Sequence, residues 1–216
     1  MSGTLHDAFI DELRDTYDAE KQLLKSLPKV ARAANSPKLR AAVEKHIQET
    51  RGHVDRLTRA FESIGERPRG KHCDGMAGII EEAKSALEED ADDATMDALL
   101  IASAQRAEHY EMAAYGTLVS WAQAMGHSEA ARLLQANLDE EKATDETLTS
   151  IAEGGINQQA ARLAHGNGEE GEGTESAPAA RRKTSTRSTG RASAARSNGG
   201  TSRSRSASSR NGARKR

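Results

Sequence analysis

The chain has 216 residues, of which 36% are hydrophobic and only 3% aromatic, enough apolar material for one compact domain but too little for the whole length to fold. The formal charge of −2 conceals two regimes: residues 181–216 hold 12 Lys or Arg and no acid, leaving 19 basic against 33 acidic residues before them, so +12 stands beside −14. The single cysteine, Cys73, excludes an internal disulfide and points to a reducing compartment. The start "MSGTLHDAFIDELRD" is acidic and amphipathic rather than signal-like, and no stretch reaches the length of a membrane span. A cytoplasmic protein with no membrane association is the expectation.

The first predicted helix runs from about Thr4 to Ala34, with Pro28 expected to kink its second half. Ser36 and Pro37 form an N-cap and first-turn pair for a second helix ending near Gly65. A long connection through "ERPRGKHCDG" leads to a short helix at about residues 75–90, whose apolar face (Met76, Ile79, Ile80, Ala83, Leu87) should cover an open side of the fold or a partner. A third long helix spans roughly Ala94 to Met125, and Gly126 with Ser128 marks a stop and restart into a fourth, ending at Gly154 and Gly155. Four long helices with one long crossover describe an all-α, ferritin-like four-helix bundle. The predicted organisation is a bundle over residues 1–158, an acidic flexible linker over 159–180 containing "GNGEEGEGTES", and a disordered Arg/Ser-rich basic tail over 181–216.

Each long helix carries polar residues inside its own apolar stripe. In "HIQETRGH", His46, Glu49 and His53 fall three and four positions apart, within an arc of roughly 60° of the helix face. Leu39, Val43, Leu57, Phe61 and Ile64 continue the same rhythm on either side. The stripe of the first helix reads Phe9, Leu13, Tyr17, Glu20, Leu24, Leu27; the third reads Ile101, Ala104, Glu108, Glu111, Tyr115, Leu118; the fourth reads Leu134, Leu138, Glu141, Asp145, Leu148, Ala152.

Carboxylates buried together repel and lose hydration, so they must take up protons, pair with buried cations or bind a metal. No Lys or Arg stands in the stripes beside them. A set of Glu with His suits iron or manganese, with zinc as a third choice, and a single cysteine excludes a thiolate site. A carboxylate-bridged pair of metals, two iron ions or manganese in their place, is the reading. The ligands assigned are Glu20, Glu49, His53, Glu108, Glu111, Glu141 and Asp145, with His46 in reserve as a ligand or a hydrogen-bonded core histidine. His109 points off the stripe, into solvent.

The segments "DELRDTYDAEKQLLKSLPK", "HIQETRGHVDRL", "CDGMAGIIEEA", "AEHYEMAAYGTL" and "LLQANLDEEKATDETLTSIA" together resemble the small bacterial ferritin-like stress proteins typified by YciF, over residues 1 to about 155. The resemblance implies a four-helix di-metal fold, often a homodimer, induced by stress. The Glu-x-x-His spacing of better-known ferritin-like enzymes is absent, since Gly52 and Thr144 stand three residues after Glu49 and Glu141, and His53 and Asp145 stand four after.

Three classes of function stay open: a di-iron oxidase or peroxidase-like protein, with Tyr17, Tyr110 or Tyr115 as a relay; metal handling without turnover; and a non-enzymatic dimeric module whose tail does the work. A redox role for Cys73 requires an exposed, low-pKa thiolate. The tail's cations, Arg181, Arg182, Lys183, Arg187, Arg191, Arg196, Arg203, Arg205, Arg210, Arg214, Lys215 and Arg216, have no acid or aromatic residue among them. They are expected to bind DNA or RNA backbones by charge, with little sequence preference, which would associate the protein with the nucleoid.

Overall fold

The computed structural model of the chain describes residues 3–166. They form α1 (Leu5–Ala33), α2 (Pro37–Ser63), α3 (Asp74–Leu87), α4 (Asp93–Ala124), α5 (Ser128–Ile151) and α6 (Asn157–Gly166), with no strand among the described residues. Local chemistry sets most of the boundaries. Thr4 and Asp7 make a reciprocal capping box at the start of α1, the Thr4 Oγ1 accepting from Asp7 N at 3.2 Å and Asp7 Oδ2 from Thr4 N at 3.1 Å. Ser36 caps α2 with Pro37 in its first turn, and Asp92 caps α4 by accepting from Ala94 N and Thr95 N, both at 3.0 Å. After α4, Gly126 takes φ +77 while His127 N donates to Ala122 O at 2.9 Å and Gly126 N to Gln123 O at 3.1 Å, a Schellman stop that turns the chain directly into α5.

The four long helices pack in the cyclic order α1, α2, α5, α4. Short turns join α1 to α2 and α4 to α5, and the connection from Ile64 to Asp92 returns along the bundle. Asp97 ties the far end of that return in place: buried on α4, it accepts from Asn35 N and Ser36 N at 2.7 Å each, so α4 begins beside the α1–α2 turn. Along the way Lys71 N donates to Arg14 O, Cys73 N to Asp18, and Gln22 to Cys73 O, lacing the crossover to α1. The short helix α3 then covers α1 and α4, with Met76 fully buried. This is the ferritin-like connectivity expected from the helix lengths.

Helix α1 runs through Pro28 to Ala33. The fourth long helix ends earlier than expected, at Ile151, and helical structure extends further. Gly155, at φ 147, breaks the direction within a widened turn over Ala152–Ile156, and Ile156 packs on the core so that α6 resumes against α4. The glycine pair is a hinge between helices rather than a terminus, and the expected boundary at residue 158 falls inside α6. The linker beyond residue 166 and the basic tail over 181–216 lie outside the described residues. Among the described residues no helix is long and apolar enough to cross a membrane.

Candidate metal centre

Two apolar clusters fill the bundle. One gathers Phe9, Leu13, Leu57, Phe61, Leu118 and Leu134 with their neighbours. The other gathers Leu23, Leu27, Leu39, Val43, Ile101 and Leu148 beneath α3. On every long helix the gap between them is occupied by buried polar side chains: Thr16 and Glu20 on α1, Thr50 and His53 on α2, Glu108 and Glu111 on α4, Glu141 and Thr144 on α5. His46 on α2 is buried with them.

These side chains converge as two overlapping sets. His46, Glu108, Glu111 and Glu141 bring one ligand atom each within 4.8 Å of one another, and so do Glu20, His53 and Glu141. Glu141 belongs to both: its Oε1 lies 2.9 Å from His53 Nδ1, and its Oε2 lies 4.0 Å from His46 Nε2. His46 Nε2 is also 3.3 Å from Glu108 Oε1, and His53 Nδ1 is 3.3 Å from Glu20 Oε1. Despite these approaches His53 Nδ1 makes no well-formed hydrogen bond, and neither do both oxygens of Glu111, both of Glu141, Glu20 Oε2 or Glu108 Oε2. Within these two sets, the donor that meets a carboxylate squarely is the Tyr115 hydroxyl, on Glu20.

The electrostatics express the same shortage of donors. Burial, followed by the charge on Glu141, pushes the Glu108 carboxyl well above the usual range, and burial with Glu141 and Glu20 does the same to Glu111. Burial also opposes ionisation of Glu141, but the His53 imidazole beside it wins and holds that carboxyl low. Against burial, Glu20 and Glu141 raise His53 to about 10. Without a cation the centre therefore holds protons that it would surrender to one. Four carboxylates and two imidazoles with inward lone pairs and no sulfur form an oxygen-rich nitrogen and oxygen donor set, which fits iron, manganese or zinc.

Residues 4–161 match the family model described as a domain of unknown function, DUF892. The chain belongs to this family. Over 158 residues it is 44% identical to protein YciF of Escherichia coli (strain K12), a span of 73% of this chain and 95% of YciF. The crystal structure of that E. coli stress protein aligns with a TM-score of 0.70 over 72% of this chain and 99% of its own. YcfI from Rhodopseudomonas palustris, 40% identical, aligns with a TM-score of 0.67 over 69% and 98%. The likeness read from five sequence segments thus extends through the whole bundle, and the basic tail lies beyond the matched residues.

Of the seven ligands assigned from sequence, the family fold brings Glu20, His53, Glu108, Glu111 and Glu141 together and leaves Glu49 and Asp145 outside the two sets. Asp145 instead accepts from Gln105 at 3.0 Å and lies 3.3 Å from His109, whose ring is mostly solvent-exposed. Glu49 sits behind His46, bonded to Lys45. Thr144 takes the buried place on α5 that the stripe gave to Asp145: the positions three and four after Glu141 flank the same helix face, and the bundle turns the earlier one inward, its Oγ1 3.4 Å from His46 Nδ1. His46, the reserve, stands in the first set.

Three neighbours were not singled out from sequence: Glu140, Arg56 and Asn137. Asn137 is fully buried and donates to Tyr115 OH at 2.9 Å; it lies one turn before Glu141, so the stripe could have found it. Glu140 and Arg56 come in from the α2–α5 seam, off every stripe, and carried no periodic signal. Cys73 is buried, its thiol pushed up by burial and its Sγ 3.0 Å from Tyr110 OH, the reverse of the exposed low-pKa thiolate that a redox role requires.

Proposed function

We propose that the bundle centre would hold two divalent ions, iron or manganese, with Glu141 common to both donor sets, and that the protein uses them to consume oxidants under stress. The observation that carries this is the layer of buried carboxylate oxygens, both of Glu111 among them, that no donor meets in a well-formed hydrogen bond. Charge counting agrees: four ionised carboxylates with neutral histidines match two divalent cations. When bound, iron would supply the electron transfer that reduces peroxide or oxygen. Glu20 and His53 would hold one ion, and His46, Glu108 and Glu111 the other. Tyr115, buried and donating to Glu20, would hold or pass a proton at that carboxylate; Tyr110, engaged with Cys73 and Asp15, is committed elsewhere. The apolar clusters on both sides keep bulk water away.

The test is metal analysis of the purified full chain, with peroxide and oxygen consumption by the iron-loaded form. About two ions per chain are expected, lost in the Glu20→Ala, Glu141→Ala double variant while helicity is kept. Full metal content in that variant would rule the centre out. Loaded protein that leaves both oxidants untouched would favour metal handling.

The tail supports a second, separable activity, because its 12 cations stand without an acid over residues 181–216. The full chain should retard DNA in a gel at low salt and release it as salt rises, and a chain ending at Gly173 should not bind. Equal behaviour of the two would dismiss the tail as a nucleic-acid arm.

A further inference from the structure

The two buried histidines face the carboxylates through different nitrogens. His53 turns Nδ1 inward, to Glu141 and Glu20, and its Nε2 meets Glu140 Oε2 at 3.0 Å. His46 turns Nε2 inward, to Glu108 and Glu141, and its Nδ1 lies outward, 3.4 Å from Thr144 Oγ1 and 3.9 Å from Glu49 Oε2. Each outer glutamate is gripped by a cation of α2: Arg56 donates to Glu140, and Lys45 to Glu49. Arg56 is itself fixed by Asn137, whose amide reaches the His53 carbonyl at 3.4 Å and Tyr115 OH at 2.9 Å.

When a cation takes the inner place beside Glu141 and Glu20, a neutral imidazole keeps its one N–H on the outward nitrogen, which for His53 is the one that meets Glu140. The other nitrogen is then a lone pair. Glu140 Oε2, which accepts from the Arg56 guanidinium, is the same oxygen that faces His53 Nε2, so the Arg56–Glu140 pair fixes the direction of the His53 hydrogen bond. Because Arg56 neutralises Glu140, as Lys45 does Glu49, neither outer acid adds charge for the buried ions to balance.

We propose that Glu140, held by Arg56, is a positioning residue that locks His53 as its Nε2–H tautomer and so presents Nδ1 to the metal beside Glu20, with Glu49 and Lys45 as the looser counterpart behind His46. The role rests on the metal-centre reading above. The counterpart is looser because 3.9 Å is beyond a hydrogen bond and the Thr144 hydroxyl, able to donate or accept, selects no tautomer.

The test loads the full chain, ¹⁵N-labelled at histidine, with zinc(II), a diamagnetic probe, and measures stoichiometry, affinity and the ¹⁵N shifts that report which ring nitrogen carries the proton. In the wild type His53 should show metal on Nδ1 and the proton on Nε2. Glu140→Ala should lower the affinity for one of the two ions roughly 10- to 100-fold and leave the other unchanged. Glu140→Gln, which keeps an acceptor oxygen, should recover part of that loss, and Glu49→Ala should weaken the other ion by a smaller factor. Two ions bound by Glu140→Ala as tightly as by the wild type, zinc on Nε2 of His53, or equal losses in the Ala and Gln variants would overturn the role while leaving the metal centre standing. A wild-type chain that binds no zinc would overturn both.

Discussion

The apolar layers at the two ends of the bundle and the polar layer between them are built on the same four helices and meet opposite requirements. In the end layers Phe9, Leu13, Leu39, Leu57 and Phe61 are fully buried among other carbon atoms, and the polar groups that enter find partners, as Asp97 does on two backbone N–H groups. In the middle layer Glu111 is buried to the same degree with neither oxygen partnered. The end layers supply the free energy of folding and the middle layer draws on it, a division expected of a site whose strain is relieved only by its ligand.

The largest effect should come from the end layers. Phe61→Ala removes a fully buried ring that also meets Tyr17 edge-on, and should lower stability by about 3 to 5 kcal/mol in denaturant titrations while leaving any metal content as in the wild type. A comparable fall in bound metal would mean that the layers are not separable. In the middle layer the sign should reverse. Glu111→Leu replaces an unpartnered carboxyl with carbon of similar size, and should stabilise the metal-free protein by about 1 to 3 kcal/mol while costing it an ion.

Acidity should separate the layers by slope. Glu108 and Glu111 hold protons well above 4.5, where an unfolded chain has released them, so between about pH 5 and their raised pKa values the native state binds more protons. His53 acts in the same direction: its contribution is complete below 6.5 and is lost as pH rises through about 10. Glu49, held at about 2 by His46 and Lys45, and the lowered Glu141 contribute above 4.5 and are lost only as pH falls below it. The metal-free protein should therefore lose stability as pH rises from 5 to 9, by about 1.4 kcal/mol per unit for each proton involved. The metal-loaded protein, whose ligands must be deprotonated, should gain stability over the same interval. Parallel slopes in calorimetry would argue against a cation site.

Periodicity made the fold and the composition of the middle layer legible, and for a physical reason. An acid inside an apolar stripe is costly enough to leave a mark, so Glu20, Glu108, Glu111 and Glu141 could be found from spacing alone. The order of importance among nearby polar residues could not. Glu49 and His46 share one face of α2, and only the packing of α5 and α4 decides that His46 turns inward while Glu49 reaches Lys45. Leu23, buried where Leu24 was expected, shows the same one-position ambiguity in α1. Glu140 and Arg56 were invisible because their roles arise at a seam between helices distant in sequence, 84 residues apart for this pair.

The smallest effect should be at Cys73, where the end layer beneath α3 holds polar atoms of its own. Its Sγ caps α3 by accepting from Met76 N at 3.4 Å and meets Tyr110 OH at 3.0 Å, while that hydroxyl also donates to Asp15 at 3.0 Å. Every polar atom of this trio in contact with another has a partner, unlike the oxygens of Glu111. Cys73→Ser keeps a donor and acceptor at a position that favours serine, and should change stability by less than about 0.5 kcal/mol. Cys73→Ala removes the cap and leaves Tyr110 with Asp15 alone, and should cost about 1 kcal/mol. Burial pushes the thiol up, so the native protein should react with a thiol reagent only as fast as α3 opens, and urea should accelerate the labelling. A serine variant as unstable as the alanine one, or thiol labelling at the rate of a free cysteine, would show that Cys73 is not a satisfied structural group and would erase its contrast with the middle layer.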